Sequence, residues 1–214
     1  MKQFILSIIF SSIFVTGFSQ QEAAYTRTME TNIKTLDTAS TTETYVQLGN
    51  NFDRIANAAK DQWLPYYYAG FCYAVMAFKT KDKTQVDAIA DKADSYLDKA
   101  DALKPGNSEI STLRAMITNT RILVDPRSRW QELNTVSEGW IIKAQQQDPA
   151  NPRPWYIQAR TKLYTPAMLG GGPEAALPVL EEALTRFGKF QPDNSLAPNW
   201  GHEEAQKLLT QLKK

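Results

Sequence analysis

The residues of this chain that could do chemistry do not combine into a catalytic set. His202 is the only histidine, which excludes a multi-histidine metal site and leaves a serine or cysteine triad with one candidate base. It follows Gly201 in the first turn of a predicted last helix, where polar residues are ordinary. Carboxylates are plentiful, but no pair lies in an apolar context that would set one apart as acid and the other as base. We therefore predict a protein that is not an enzyme and that needs no metal and no cofactor.

A run of glycines is the first of two motifs that could bind a ligand. Gly170, Gly171 and Gly172 precede Pro173 at the start of a predicted helix, and glycines at a helix N-terminus can present backbone donors to an anion. No lysine followed by Ser or Thr comes after them, so the run is not a P-loop. A permissive turn that lets two helices pack closely is the simpler interpretation.

The second motif, Arg127-Ser128-Arg129-Trp130, places two cations beside an aromatic side chain. Such a group could grip a carboxylate or the face of a sugar. A solvated loop with one packed tryptophan explains the same residues without a ligand. The aromatic run Tyr66–Tyr68 is predicted to be mainly core, because three consecutive positions on a helix point in three directions.

The N-terminus has the pattern of a signal peptide. Lys2 precedes an apolar run from Phe4 to Val15, and small residues follow around Ser19. The run is shorter than the ~20 residues of a spanning helix, so we predict cleavage after Ser19 and no stable membrane insertion afterwards. No cysteine follows the run to accept a lipid. The expected location is the periplasm, with secretion as the alternative.

Charge and cysteine content narrow the remaining classes. The chain has 24 basic and 23 acidic residues, and removal of residues 1–19 takes only Lys2, which leaves 23 of each. A balanced charge argues against binding to nucleic acid or to an anionic membrane, both of which favour a strongly basic surface. Cys72 is the only cysteine, so no internal disulfide can form. It lies in an apolar run and is predicted to be a buried core residue.

Helices must position all of these residues, because no segment alternates with period two over more than a few residues. Apolar stripes at helical spacing alternate with proline, glycine and polar breaks. Ser40 with Glu43 has the form of a capping box, and Thr84 is the predicted cap of a later helix. The helices fall into pairs followed by a terminal helix, at about residues 22–60, 63–104, 107–148, 152–188 and 199–213.

A spacing of small and apolar residues recurs in the second helix of three pairs. Each copy has a small residue, a larger apolar residue and a small residue, followed by a breaker. Pro105 and Pro149 end two copies 44 residues apart, and Gly188 stands in place of the proline in the third. The copies are Ala93, Leu97 and Ala100, then Ser137, Ile141 and Ala144, then Ala176, Leu180 and Ala183.

This set of matches resembles the tetratricopeptide repeat (TPR) family, and more narrowly the small exported TPR proteins of Gram-negative bacteria. The resemblance covers about residues 42–187. It implies an all-α fold, a TPR-like α-solenoid of about four antiparallel helix pairs plus a C-terminal capping helix, in a single domain from 20 to 214. Ser137 and Lys162 depart from the pattern, which leaves the helix phase of the middle pair open.

The resemblance also implies a function and a binding surface. First helices of stacked pairs line a concave face that can hold a peptide or partner segment, so a protein-protein scaffold is expected. The alternative is a periplasmic solute-binding module, similar to the TPR subunits associated with TRAP transporters, which would hold a small ligand beside the glycine turn. The residues implied for the concave face are Tyr67, Phe71, Arg153, Tyr156, Arg160 and Tyr164.

Overall fold

The computed structural model describes residues 2–213, with side chains from residue 20 onward, and over this range the chain is helical. The all-α fold class is confirmed. A single 3-10 turn, Ala167–Leu169, lies between the seventh and eighth helices. The helices are α1 Lys2–Asp37, α2 Thr42–Ala58, α3 Trp63–Lys79, α4 Lys83–Leu103, α5 Ser108–Ile122, α6 Pro126–Gln147, α7 Arg153–Tyr164, α8 Pro173–Phe187 and α9 His202–Leu212.

The predicted signal peptide, residues 1–19, falls on side chains outside this description, and its cleavage stays a prediction. From residue 20 to residue 213, no helix combines the length and the apolar character that a membrane crossing requires.

Two helix starts differ from the predicted caps by one or two residues. The cap of α2 is Thr41, whose Oγ1 accepts a hydrogen bond from the Thr44 backbone N–H at 3.2 Å, so the capping box at Ser40 is wrong by one position. The cap of α4 is Asp82, whose carboxylate accepts from the Thr84 backbone N–H at 3.0 Å. A carboxylate or hydroxyl just before the first turn accepts a hydrogen bond from a free backbone N–H. Ser40 and Thr41 both carry such a group before α2, and Asp82 and Thr84 do so at the start of α4.

The recurring small and apolar positions are the tightest packing points of the fold. All nine residues of the three copies are at most 1% exposed. Gly70 on α3 shows why the facing positions must be small, since a Cβ there would lie 2.9 Å from Leu97 Cδ2 on α4. Van der Waals contact at such distances leaves no room for a methyl group. The repeated spacing therefore holds each second helix against its neighbours.

Each helix from α1 to α8 packs against the next helix in the chain. Between α8 and α9 the chain runs through the long segment 188–201 before the two helices meet. The helices α3, α5 and α7 also contact each other in sequence, so they form one inner row. Aromatic side chains pack against the row, and the ring of Tyr68 on α3 stacks on that of Phe52 on α2 with centroids 5.1 Å apart. Cys72 is fully buried there, and burial raises the pKa of its thiol.

A buried ion pair joins the starts of α5 and α7. Glu109 accepts hydrogen bonds from Arg153 Nε at 2.8 and 2.9 Å, from Asn151 Nδ2 at 2.7 Å and from the Tyr67 hydroxyl at 2.8 Å. The Arg153 side chain is 1% exposed. Burial, and then the Glu109 charge, raise the pKa of Tyr67 well above its ordinary value. The carboxylate is therefore satisfied by three partners at once.

The segment 188–201 closes over this ion pair. Arg153 donates to the Pro198 carbonyl, and its guanidinium lies 4.5 Å from the centroid of the Phe190 ring. Trp200 Nε1 donates to the Tyr67 hydroxyl at 2.8 Å, and that hydroxyl in turn donates to Glu109. The ion pair thus connects α3, α5, α7 and the segment that leads into α9.

We expect Glu109→Gln to lower the free energy of unfolding by about 3 kcal/mol, because removing one charge of a buried pair leaves the other uncompensated. Urea unfolding of the two proteins measures the difference. The matched control is Asp98→Asn, which removes the acid of the ion pair between Asp98 and Arg114. The Asp98 side chain is 70% exposed, so this change is expected to lower the free energy of unfolding by less than about 1 kcal/mol. Equal losses in both variants would contradict the role given to the buried pair.

Candidate functional site

A cleft of about 470 Å³ opens between α5, α6, α7 and the loop that follows α7. Its volume lies in the range of roughly 300–1,000 Å³ that small-molecule sites occupy. Most of its walls are aliphatic or aromatic. The lining residues are Phe78, Met116, Asn119, Ile122, Leu123, Pro126, Arg127, Trp130, Asn134, Ile157, Arg160, Thr161, Tyr164, Thr165, Pro166 and Leu169.

The helical period places these residues on shared faces. On α7 the lining positions are Ile157, Arg160 and Tyr164, at spacings of three and four that stack along one side of a helix. On α5 they are Met116 and Asn119 together with Ile122, again three apart. The first three turns of α6 supply the third wall. The cleft is therefore built from the second half of α5, the middle and end of α7 and the beginning of α6.

Exposed apolar side chains concentrate at the mouth of the cleft. Tyr164 is 70% exposed and Leu169 is 50% exposed, and Phe78 and Leu123 are exposed as well. Met168, beside Leu169, is 91% exposed. Large apolar residues scattered singly on a surface are normal, but a contiguous group of them marks a contact or ligand site. This group adjoins the cleft, which makes the cleft the leading candidate site.

Arg160 is held at the edge of the cleft by aromatic rings. Its guanidinium carbon lies 4.8 Å from the centroid of the Phe78 ring and 5.8 Å from that of Tyr156. Such cation-π contacts fix the plane of the guanidinium. Arg127, in the first turn of α6, also lines the cleft. Among the described residues that form the walls, none is acidic, so the charge offered to a ligand is positive.

Asn119 places an unused acceptor beside the cleft. Its Nδ2 donates to Thr161 Oγ1 at 2.8 Å, and Thr161 in turn donates to the Ile157 carbonyl at 3.0 Å. The buried Asn119 Oδ1 has no hydrogen-bond partner within residues 20–213. A buried polar atom without a partner lowers stability unless a ligand or water supplies one. The wall between α5 and α7 therefore has hydrogen-bonding capacity to offer.

The six residues implied for the concave face separate into two groups. Arg160 and Tyr164 line the cleft. The other four, Tyr67, Phe71, Arg153 and Tyr156, are all buried, which corrects their placement on an open binding face. Tyr67 and Arg153 bond to Glu109, while Phe71 packs on Trp200 and Tyr156 packs on Phe187. Their surfaces are occupied by the protein itself.

The glycine run is a closed turn and offers no donors to an anion. The N–H groups of Gly170, Gly171 and Gly172 donate to the carbonyls of Ala167, Pro166 and Lys162 at 2.9, 3.2 and 2.9 Å. Gly170 and Gly172 have φ of 81° and 94°, a left-handed backbone that glycine adopts without strain. The simpler interpretation of a permissive turn agrees with this geometry. The turn carries Leu169 at the mouth of the cleft.

The motif at residues 127–130 lies on a helix, since α6 begins at Pro126. Arg127 and Trp130, three positions apart, both line the cleft, whereas Arg129 forms a two-bond ion pair with Asp87. The motif therefore supplies two cleft residues, although the solvated-loop interpretation was the simpler one from sequence. His202 is far from this group in the chain, and its ring stacks on Phe187 with centroids 5.2 Å apart.

Several cleft residues carried no sequence signal of function. Phe78 lies at the end of α3, Leu123 just after α5 and Leu169 in the loop after α7. In the sequence, each of the three is an apolar residue that nothing nearby distinguishes from a packing residue. The periodicity of Ile157, Arg160 and Tyr164 was a usable signal, because it puts a cation and a phenol on one helix face.

The fold and the cleft together define the class of protein: an all-helical chain with an apolar, ligand-sized cleft between its helix pairs. Among solved structures, the chain is similar to the HusA haemophore from Porphyromonas gingivalis, with 35% sequence identity and a TM-score of 0.80. The similarity covers 88% of this chain and 92% of that protein's chain. The chain belongs to the family of that haemophore. No protein-family model and no curated protein matches it.

We expect Gly171→Ala to lower the free energy of unfolding by about 1–3 kcal/mol, the usual penalty for overpacking. A Cβ at Gly171 would lie 2.2 Å from the Thr165 carbonyl oxygen, so the turn after α7 must open. Gly139→Ala, in the open interior of α6 with nothing within 4 Å of the new methyl group, should instead stabilise the protein by roughly 0.5–1 kcal/mol. Thermal and urea unfolding measure both, and a neutral Gly171→Ala would show that the turn is not closely packed.

Proposed function

We propose that this chain binds haem in the cleft and carries it outside the cytoplasm. The observation that carries the proposal is the composition of the cleft: an apolar and aromatic cavity of about 470 Å³ whose charged lining residues are Arg127 and Arg160. Haem is a flat, largely apolar macrocycle with two carboxylate side chains. Membership of a family that contains a haemophore supports the same ligand.

The walls suit each part of that ligand. Aliphatic and aromatic side chains such as Ile157, Leu123 and Trp130 can bury the macrocycle, and removal of its apolar area from water favours the complex. The two arginines lie at the edge, where the carboxylates of a haem would meet solvent. The exposed apolar group at the mouth, which is unfavourable in water, would be covered by the ligand.

The cleft offers few ligands for an iron atom. Its described lining includes neither histidine nor cysteine, and the side chains with a suitable donor atom are Tyr164 and Met116. Tyrosine and methionine both serve as axial ligands of haem iron in proteins. Met116 is buried, whereas the Tyr164 side chain stands open at the mouth. Tyr164 is therefore the residue we assign to iron contact, with most of the affinity coming from the apolar walls.

The location and the repeat family form part of the same proposal. The signal-peptide pattern at residues 1–19 supports export, into the periplasm or beyond it. We propose that the helix pairs stack as TPR units. Support comes from the burial of all nine recurring positions and from the contacts along the inner row of α3, α5 and α7.

A scaffold that binds a peptide or partner segment is the second candidate. The observation that favours it is Met168, whose 91% exposure beside the cleft would suit coverage by another protein. The transporter-associated solute-binding module has less support, because the N–H groups of the glycine turn are already bonded. A titration with haemin decides between cargo and partner, since a scaffold has no reason to bind it.

Haemin should bind the wild-type protein in a single saturable step, seen as a shift of its Soret absorption. Leu123→Glu, which puts a carboxylate inside the apolar cleft, should weaken binding at least about tenfold, because the complex would bury an added charge. Val136→Glu is the matched control, since Val136 is exposed to a similar degree (43% against 41%) but does not line the cleft. Absent binding by the wild type, or equal binding by both variants, would reject haem in this cleft.

Tyr164→Phe tests the iron contact separately. The ring and its packing are kept while the hydroxyl is lost, so we expect the visible spectrum of bound ferric haem to change and its affinity to fall by less than about tenfold. Absorption and resonance Raman spectra of the two complexes provide the comparison. An unchanged spectrum would exclude Tyr164 as an iron ligand without affecting the assignment of the cleft.

A further inference from the structure

We propose that Arg127 and Arg160 form a carboxylate clamp that makes the cleft selective for porphyrins with free carboxylate side chains. This inference rests on the proposed function and names the feature of the ligand that is recognised. Arg127 comes from the first turn of α6 and Arg160 from the middle of α7. The two guanidinium groups therefore approach the same cleft from different helices, as recognition of two separate carboxylates requires.

The first observation is how the arginines of α5 to α8 are paired. Those outside the cleft each form an ion pair with a carboxylate of the protein, as the contacts of Arg114, Arg121, Arg129, Arg153 and Arg186 show. Within residues 20–213, no such ion pair involves Arg127 or Arg160, the two that line the cleft. Arginine readily pairs with carboxylate because its planar fork matches both oxygens. The fold thus keeps two guanidinium groups available where a ligand would lie.

The second observation is the environment of Arg160. Its guanidinium carbon lies 4.8 Å from the centroid of the Phe78 ring and 5.8 Å from that of Tyr156, and the side chain is half-buried. Aromatic neighbours hold the group in one orientation without neutralising its charge. A charge in such partly apolar surroundings interacts with an anion more strongly than one in open water. Arg160 is therefore preorganised for a carboxylate.

The nearest acid to Arg127 in the sequence, Asp125, bonds to the first turn of α6 and not to the Arg127 guanidinium. Asp125 accepts a hydrogen bond from the Ser128 hydroxyl at 2.8 Å. That bond, followed by backbone hydrogen bonds from Ser128 and Arg127 and by the charge of Arg129, lowers the pKa of Asp125. Asp125 is thus occupied by Ser128 at the start of α6, and within residues 20–213 no ion pair ties it to the Arg127 guanidinium.

The clamp predicts selectivity that a purely apolar cleft would not have. Protoporphyrin IX and its dimethyl ester share the same ring, but the ester lacks the two charges. Each charge-assisted hydrogen bond contributes roughly 1.5–3 kcal/mol, which corresponds to about tenfold or more in affinity. The wild-type protein should therefore bind the free acid at least about tenfold more tightly than the diester, with a preference that shrinks as salt is raised.

The experiment titrates haemin, protoporphyrin IX and the dimethyl ester into the full chain and its variants, with fluorescence quenching as the readout. Arg160→Met and Arg127→Met should each weaken the free acid about tenfold and leave the diester unchanged, because only the charged contact is lost. Arg160→Lys should recover part of the loss. The control Arg54→Met removes an exposed arginine that bonds to Asn51 on α2, outside the cleft, and should bind like the wild type.

The outcomes separate the clamp from the proposed function. If none of the three ligands binds the wild type, haem binding itself is rejected. If haemin and both porphyrins bind with equal affinity, or if the two methionine variants bind the free acid like the wild type, the clamp is rejected while haem binding stands. If Arg160→Met does not fold, the comparison of free acid and diester on the wild type, together with the exposed Arg127→Met, still decides.

Discussion

The buried ion pair between Glu109 and Arg153 is the interaction on which the rest of the structure depends. It joins two helices whose residues are 44 apart in sequence, and it draws in Tyr67 from α3. Burying a charge is costly unless an opposite charge and hydrogen bonds compensate it. Glu109 meets that condition through Arg153, Asn151 and Tyr67, and Pro198 accepts from the far side of the guanidinium. The inner row and the C-terminal segment are thereby fixed to a single point.

That fixed point also determines the shape of the cleft. Met116 lies seven residues after Glu109 on α5, and Arg160 lies seven residues after Arg153 on α7. Seven residues are two helical turns, or about 10 Å, and bring the chain back to the same face. The ion pair and the cleft therefore occupy one shared face of α5 and α7, at opposite ends. Once the starts of these helices are locked, the walls of the cleft have little freedom to separate.

The sequence predicted the helices well because their limits depend on local chemistry. Proline and glycine breakers, caps and apolar spacing act within a few residues, so these errors were shifts of one to three positions, as at Thr41, at Asp82 and at the start of α9. The site was harder to predict. Tyr67 and Arg153 are residue types that often line a binding face. Both instead form buried hydrogen bonds to Glu109, an acid more than 40 residues away in the sequence. Nothing local to either residue reveals that partner.

The same long-range pairing explains why the cleft, rather than the inner row, is available to a ligand. A tyrosine and an arginine that are bonded to the protein gain little from a ligand, because they would exchange one set of hydrogen bonds for another. Arg160 and Tyr164, two and three helical turns further from the ion pair, have no such commitment and face an apolar cavity. A cleft with apolar walls and two cations, and with no histidine in its described lining, offers a ligand apolar and charged contacts rather than a strong metal bond. Under the proposed function, that permits release, which a carrier needs as much as capture.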